Sequence, residues 1–259
     1  MRDRRVLHTG AVATIEHATE LGTILGVWAH PDDEAYLSGA LMASAVDAAQ
    51  RVVCVTATRG EAGFDDLDQP LEERRAIRER ELAACLAELG VTEHHWLDEA
   101  DGGMADADPS RAIDSLCGLL EEVRPDTVLT FGPDGMTGHG DHVAISRWTT
   151  IAVDRVAPAT RLLYATKTTD WHELFFRLVD PGHVMMIDGY QPPSTPAAEL
   201  SVSFTAAGAL LERKLRALMC QESQVRPLAE QAGDAGFRAL TRDEWFRSAA
   251  PGDWPDLLA

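Results

Sequence analysis

The most regular feature of the chain is an alternation of short apolar runs with longer amphipathic segments. The short runs are rich in β-branched residues and predict strands at residues 22–29, 51–58, 94–97, 127–131 and 161–166. The longer segments repeat apolar residues with helical period and predict helices at residues 33–49, 71–89, 109–123 and 143–156. Because strands alternate with helices of crossover length, we predict an α/β fold with a doubly wound, mostly parallel sheet and helices on both faces.

The pattern is less regular after the fifth predicted strand. Helices are predicted at residues 171–178 and 206–221. Three prolines lie between residues 183 and 205, where we predict an irregular loop with strands at 184–187 and 200–204. The tail that follows carries scattered aromatic residues and no clear period.

Domain organisation follows from the absence of a linker. No Pro-, Gly- or Ser-rich stretch divides the chain, and no repeat is present. We therefore predict one domain over residues 1–259, with a core at about 20–160. An irregular C-terminal extension, residues 161–259, is predicted to pack on the core and to complete the substrate pocket.

Composition limits the classes of partner. The formal net charge is −19, which argues against a nucleic-acid partner and against binding to anionic membranes, because both need clustered Lys and Arg. No apolar stretch approaches the roughly 20 residues that span a bilayer, and the charged start lacks the apolar region of a secretion signal. The separated cysteines form no C-x-x-C pair, so we expect buried thiols in a reducing cytoplasm.

A cluster of acids and one imidazole follows the first predicted strand. His30 and Asp33 are three residues apart, a spacing at which both side chains can reach one ion where a strand turns into a helix. Nitrogen and carboxylate donors suit Zn²⁺, and Fe²⁺ or another divalent ion accepts them as well. Asp32 projects in another direction and is free to act as a general base, whereas Glu34 is expected to favour the helix start. Taken alone, the acids could also simply cap the helix.

A second cluster follows the fourth predicted strand. Since zinc hydrolases typically hold their ion with three protein groups, His142 is the candidate third ligand. His139 lies between two glycines and could face the site without binding the metal, where it would stabilise an oxyanion or protonate a leaving amine. Asp141 is placed to hold one of these two imidazoles in the right tautomer. Both clusters lie at the carboxyl ends of strands, where open α/β sheets bind their ligands.

The two segments together resemble the zinc N-deacetylase family that includes the PIG-L and LmbE-like enzymes. That family carries A-H-P-D-D-E after its first strand and H-x-D-H after a later one, matched here by Ala29–Glu34 and His139–His142. Softer similarity is present at Thr58–Gly63 and Asp101–Met104, and a weaker one around residues 214–224. The resemblance covers most of residues 22–224 and is dense only at the motifs.

The resemblance implies a Rossmann-like fold and a role for each residue of the two clusters. It implies that zinc is bound by His30, Asp33 and His142. It further implies that Asp32 is the base and that His139 is the oxyanion stabiliser and acid.

The resemblance also implies a substrate class. Relatives act on N-acetylated amino sugars, often N-acetylglucosaminyl conjugates, so a small amino-sugar substrate is expected. Arg59 and Asp101 match family positions that contact sugar hydroxyls. Relatives of the mycothiol pathway often carry a tyrosine where this chain has Thr137, which argues against that particular pathway.

Three alternatives to N-deacetylation stay open at this point. An amidase of the same family could act on a larger N-acyl group or on a thiol conjugate. A nucleotide-binding protein is disfavoured, because His30–Asp33 stand where a G-x-G-x-x-G turn would be needed and their acids would repel a pyrophosphate. A metal-binding but inactive interaction protein would lack catalytic groups that are present here. The sequence gives no indication of the oligomeric state.

Overall fold

A computed structural model describes residues 14–64 and 68–255 of the chain. The predicted absence of a secretion signal concerns the first residues, which lie outside these ranges. The strands are β1 (Ile24–Trp28), β2 (Val52–Thr58), β3 (Glu93–Glu99), β4 (Thr127–Phe131), β5 (Arg161–Thr166), β6 (Val202–Thr205) and β7 (Asp243–Ser248). The α-helices are α1 (Asp33–Asp47), α2 (Leu71–Leu89), α3 (Ser110–Val123), α4 (Gly135–Gly138), α5 (Gly140–Val156), α6 (Thr169–Leu178), α7 (Gly208–Cys220) and α8 (Glu222–Thr241).

The strands form one sheet in the order β3-β2-β1-β4-β5-β7-β6. The first five are parallel, β7 runs antiparallel to β5, and β6 runs antiparallel to β7. Every residue of β1, β2 and β4 is buried, as expected for strands covered on both faces. The predicted α/β fold with a mostly parallel sheet is confirmed.

The direction in which successive strands are added to the sheet reverses between β3 and β4. From β1 the chain steps outward through β2 to β3, and it then crosses back to β4 on the other side of β1. Because parallel crossovers are right-handed, α1 and α2 cover one face and α3 and α5 cover the other. Accordingly, α1 packs on α2 and α7, and α3 packs on α5. The strand order therefore has its switch point between β1 and β4, where α/β sheets open a crevice.

The C-terminal part is more regular than predicted. The segment expected to be a tail forms α8, which contains Pro227 and a kink at Gly233, and then β7. β7 enters the sheet between β5 and β6 and so joins the C-terminal part to the core. The strand predicted at 184–187 is not formed, whereas the one predicted at 200–204 corresponds to β6. Within the described ranges, none of the helices is long and apolar enough to cross a membrane.

Candidate active site

The two predicted clusters lie side by side, because the neighbouring strands β1 and β4 end at the same edge of the sheet. The first cluster forms the turn from β1 into α1, and the second lies at the start of α5. Prediction began that helix at residue 143, but it begins at Gly140, so that Asp141 and His142 belong to its first turn. Gly135 and Gly138, with φ of +64° and +75°, allow the tight path from β4 to this turn.

The side chains of three residues meet between the clusters, and both oxygens of the Asp33 carboxylate take part. His30 Nδ1 lies 3.1 Å from His142 Nε2 and 3.6 Å from Asp33 Oδ2, and His142 Nε2 lies 3.5 Å from Asp33 Oδ1. Ligand atoms about 2.0–2.1 Å from one tetrahedral ion are about 3.3–3.4 Å apart. The spacing of these three groups therefore fits the coordination of a single small divalent ion.

The hydrogen bonds of the two imidazoles direct their remaining nitrogen atoms toward each other. His142 Nδ1 lies 2.9 Å from the carbonyl oxygen of Gly135, to which it can donate. His30 Nε2 lies 3.2 Å from Asp141 Oδ2 and 3.1 Å from Asp101 Oδ1. Protons held on these outer nitrogens leave His142 Nε2 and His30 Nδ1 with free lone pairs, the tautomers that a metal requires.

The three groups bury a carboxylate that has no Lys or Arg counter-charge among the described residues. Asp33 and His142 are each only 7% exposed, and no Lys or Arg of the described residues pairs with Asp33. Burial raises the pKa of the Asp33 carboxyl well above its usual value, and burial lowers the pKa of His142. Burial also opposes the charged form of His30, but hydrogen bonds with Asp101 and Asp141 raise its pKa to about 10. The donor set fits a divalent ion, which would neutralise the buried carboxylate.

Two other donor groups share His30, and local hydrogen bonds argue against both. Ring nitrogens of His30, His139 and His142 lie within 4.8 Å of one another, as do donor atoms of His30, Asp101 and Asp141. However, His139 Nδ1 accepts the Asp141 backbone N–H at 3.1 Å, and the Asp141 carboxylate accepts the N–H groups of Gly102 and Met104 at 2.7 and 3.0 Å. Their lone pairs are therefore partly used. Asp33 Oδ2 also accepts the His30 N–H at 2.8 Å, so it is the position of Asp33, 3.6 Å from His30 Nδ1 and 3.5 Å from His142 Nε2, that favours it as the third ligand.

His139 caps α5 beside the three candidate ligands, His30, Asp33 and His142. Its ring lies 4.6 Å from the His30 ring and 4.9 Å from the His142 ring, measured between centroids. Burial, and then the charge of His30, lowers the pKa of His139. A neutral His139 that accepts at Nδ1 carries its proton on Nε2, so it can donate a hydrogen bond to an oxyanion without being a cation.

Asp32 is held in an uncommon backbone conformation by two buried groups. Its φ is +102°, a region that side chains other than glycine rarely adopt. Its N–H donates to Glu34 Oε2 at 3.0 Å, and its Oδ2 accepts from Arg78 at 3.0 Å. Arg78 also donates to the carbonyl oxygen of Pro31. These contacts fix the direction of the Asp32 carboxylate and leave Oδ1 without a protein donor among the described residues.

Asp141 binds a different histidine from the one predicted. We expected it to hold His139 or His142, but its carboxylate bonds to His30 across 111 residues of sequence. Burial opposes its ionisation, but the hydrogen bond from His30 lowers the pKa of Asp141, as it does for Asp101. Both carboxylates are therefore anionic partners of the same imidazole.

The two predicted sugar-binding residues are placed differently. Asp101 lines the cavity described below and accepts the Ala62 N–H at 2.6 Å. Arg59 does not line it: its guanidinium pairs with Glu79 at 2.5 Å and with Asp98 at 2.7 Å, and it lies 3.9 Å from the centroid of the Trp96 ring. The structure thus gives Arg59 protein partners and no contact with the cavity.

Arg78 is the arginine that does line the cavity, and the sequence analysis missed it. It is only 1% exposed and projects from α2 to the first cluster. The available signal was its position on the buried stripe of α2, which continues with Leu82, Cys85, Leu86 and Leu89. An arginine in line with such a stripe needs a buried partner.

A cavity of about 390 Å³ opens over these groups. One wall carries the two clusters, and the other comes from the C-terminal part of the chain. That second wall is formed by Val184, Met186, Gln224, Pro227, Leu228 and Gln231. Another cavity of about 490 Å³, beside Trp171 and Trp245, contains none of the predicted site residues, so the chemistry belongs to the smaller cavity.

Similarity to known proteins agrees with this geometry. The family model for GlcNAc-PI de-N-acetylase, PIG-L, matches residues 25–153, which include both clusters. A 1D-myo-inositol 2-acetamido-2-deoxy-alpha-D-glucopyranoside deacetylase of Acidothermus cellulolyticus is 32% identical over 254 residues, which cover 85% of this chain and 84% of that protein.

Solved structures share the fold at lower identity. The N,N'-diacetylchitobiose deacetylase of Pyrococcus horikoshii is 19% identical, with a TM-score of 0.61 over 89% of this chain and 85% of that one. The 4-carboxy-2-hydroxymuconate hydratase of Pseudomonas putida is 17% identical, with a TM-score of 0.61 over 89% and 97%. Because a deacetylase and a hydratase share this fold, the fold alone does not decide the reaction. Sequence similarity over both clusters decides it: the chain belongs to the PIG-L family and is a metal-dependent hydrolase that removes N-acetyl groups from amino sugars.

Proposed function

We propose that the enzyme holds one Zn²⁺ ion through His30, Asp33 and His142 and releases acetate from an N-acetylglucosaminyl sugar, leaving a free amine. The close approach of the three side chains carries this proposal: the two imidazole nitrogens are 3.1 Å apart, and they lie 3.6 and 3.5 Å from the two oxygens of Asp33. When bound, the ion would polarise the acetyl carbonyl and lower the pKa of water. Fe²⁺ accepts the same donors and is the main alternative ion.

Asp32 is the proposed general base. Arg78 occupies its Oδ2, so Oδ1 is the oxygen that takes the proton from the attacking water. Burial raises the pKa of Asp32 although Arg78 opposes this, which makes the carboxylate a stronger base than an exposed one. After water has added to the acetyl carbon, the same proton passes to the leaving nitrogen as the C–N bond breaks.

His139 is the proposed oxyanion donor. The Asp141 backbone N–H donates to His139 Nδ1, so the proton of the neutral ring is on Nε2, beside His30 and His142. A hydrogen bond from this group to the former carbonyl oxygen is strongest when that oxygen is negative, so it lowers the barrier rather than only tightening binding. Asp141 acts on the other side of the site, where it orients His30.

For the substrate, we propose an N-acetylglucosaminyl group joined to a small polyol. The name of the Acidothermus relative, which describes a glucosaminyl derivative of myo-inositol, supports this assignment. Gln224, Gln231 and Asp101 supply polar groups on the cavity wall that suit sugar hydroxyls. We further propose a reducing, cytoplasmic location, which the four unpaired cysteines support.

Acetate release from a panel of N-acetylglucosaminides, measured with zinc-loaded and chelated enzyme, tests this proposal. We expect release from the loaded enzyme, loss on chelation and recovery when Zn²⁺ is returned. Substrates with longer N-acyl groups or thiol conjugates belong in the same panel. Faster hydrolysis of those amides than of the acetamide would replace the proposal by the amidase alternative.

A further inference from the structure

Tyr36 places a phenol in the catalytic cavity that the reaction described above does not use. It lies on α1, one turn after the metal ligand Asp33, and it lines the cavity together with Asp32 and Arg78. Its backbone N–H donates to the Asp32 carbonyl oxygen at 3.0 Å. Tyr36 therefore lies beside Asp32 at the cavity wall.

Among the three tyrosines of the chain, Tyr36 differs in the state of its hydroxyl. The Tyr164 hydroxyl lies 2.6 Å from Thr150 Oγ1, and the Tyr190 hydroxyl donates to the Asp134 carbonyl oxygen at 3.1 Å. No residue in the described part of the chain forms a hydrogen bond with the Tyr36 hydroxyl. Arg78 donates to Asp32 Oδ2 at 3.0 Å, and neither side chain forms a hydrogen bond with the phenol. A phenol without a partner at a cavity wall favours a ligand that supplies one.

The turn of α1 that carries Tyr36 is anchored from behind. Lys214 Nζ donates to the Tyr36 carbonyl oxygen at 3.0 Å and pairs with Glu244 at 2.6 Å. The Glu244 carboxylate in turn accepts the N–H groups of Ala40 and Leu41 at 2.8 Å each. Both charged groups are completely buried. The phenol is thus held in place before any ligand binds, which lowers the entropy cost of using it.

We propose that Tyr36 is a substrate-binding residue that donates a hydrogen bond to a hydroxyl group of the amino-sugar ring. This inference rests on the proposed function. In the proposed reaction the acetyl oxygen is bound by His139, so a group on the sugar side of the scissile amide is the one that reaches Tyr36.

Tyr36→Phe removes the donor and keeps the ring. For an N-acetylglucosaminide we expect kcat/KM to fall about fivefold to tenfold, the effect of one lost hydrogen bond, with unchanged metal content. Tyr164→Phe is the matched control: it removes a buried hydroxyl outside the cavity and should lower the melting temperature while kcat/KM stays within about twofold. Unchanged kcat/KM in Tyr36→Phe would overturn the proposal.

Substrates lacking one hydroxyl identify the partner. Methyl N-acetylglucosaminides without the 3-, 4- or 6-hydroxyl are compared in wild type and Tyr36→Phe. For one of them the two enzymes should become equal, because the bond is already absent; a penalty that persists with all three contradicts a hydroxyl partner.

Calorimetric binding of methyl glucosaminide, the free amine, separates this inference from the proposed function. We expect a dissociation constant about fivefold weaker in Tyr36→Phe, and an equal constant would again contradict the contact. A wild type that binds this sugar but releases no acetate from any N-acetyl sugar would refute the proposed function and leave the Tyr36 contact standing.

Discussion

Helix α1 touches two clusters of buried ionisable groups that are built in opposite ways. At its start, Asp33 and His142 are almost completely buried and have no Lys or Arg partner in the described chain. Farther along the helix, α1 contacts Lys214 of α7 and Glu244 of β7. Both are completely buried, but they pair at 2.6 Å, and Glu244 also accepts two backbone N–H groups of α1. Burial of charge is common to both clusters. A Lys counter-charge is found only in the second, whereas Asp33 has the His30 imidazole and accepts the His30 N–H at 2.8 Å.

The difference shows which property of a buried charge indicates function. A compensated pair costs little to keep and fixes neighbouring segments, here α1, α7 and β7, relative to one another. An uncompensated group is costly unless a ligand supplies the missing charge, so it marks a site. The contrast predicts that substitutions in the two clusters will have opposite effects on stability and metal binding.

Asp33→Asn should produce the largest change. Without this carboxylate we expect the metal and acetate release to be lost together. The metal-free variant should nevertheless melt at a higher temperature than metal-free wild type at pH 7. Burial raises the folded-state pKa of Asp33, so its ionised form opposes folding increasingly as pH rises above about 4, and Asn removes that cost.

Metal analysis and thermal unfolding of chelated samples check this prediction. Zinc retained in Asp33→Asn would exclude Asp33 as a ligand. A lower melting temperature of the metal-free variant would show that the carboxylate is compensated in a way that its geometry does not indicate.

Substitution in the paired cluster should act on stability instead. Glu244→Gln leaves Lys214 buried without a counter-charge and is expected to lower the free energy of unfolding by about 3–5 kcal/mol. The double variant Lys214→Met, Glu244→Leu removes both charges and should recover much of that loss. Denaturant unfolding gives these values. Folded Glu244→Gln should still bind one equivalent of zinc, and loss of binding would mean that the two clusters are not independent.

Arg78 relates buried charge to catalysis, because it is a buried cation that pairs with the active-site carboxylate of Asp32. Replacing it with Met should lower kcat about tenfold to a hundredfold by freeing Asp32, with unchanged metal content. Arg80→Met, on the exposed side of the same helix, is the matched control and should leave kcat unchanged. An equal loss of kcat in both variants would point to a general effect on α2 rather than to Asp32.

Much of the fold could be predicted because its signals are local. The buried strands β1, β2, β4 and β5 are continuous apolar runs, and their crossover helices have clear periods. β7 was missed because it begins with Asp243 and Glu244, whose burial depends on partners far away in the sequence. α8 was missed because Pro227 lies inside it, a residue that normally ends a helix.

The residues of the site also divide into those that local sequence could predict and those that it could not. Residues of the two clusters could be proposed from spacing, since each cluster is continuous in sequence and ends a strand. Partners that lie farther apart could not: Arg78 reaches Asp32 across 46 residues, and Asp141 reaches His30 across 111. For that reason the histidine held by Asp141 was predicted wrongly, and the contribution of α2 to the cavity was not predicted.

The test with the smallest expected effect concerns Lys167. It is buried like the groups of both clusters, and aromatic rings take the place of a counter-charge, so its compensation is intermediate between those of the two clusters. It is only 5% exposed, and its Nζ lies 4.8 and 5.6 Å from the ring centroids of Trp171 and Trp245. No carboxylate within residues 14–64 and 68–255 forms an ion pair with it. Burial, and then the charge of Lys214, lowers the pKa of Lys167 to about 7. The unfolded chain keeps the ordinary value of about 10.4.

Between these two values the unfolded state binds the extra proton, so stability should rise with pH. Relative to Lys167→Met, the wild type should gain up to about 1.4 kcal/mol of unfolding free energy per pH unit from pH 7 to 9. Below pH 7 both states carry the charge, and the difference between the two proteins should be constant. Denaturant unfolding of both proteins at pH 6, 7, 8 and 9 measures this difference in unfolding free energy. Parallel curves over the whole range would mean that the two indole rings compensate the ammonium as fully as Glu244 compensates Lys214.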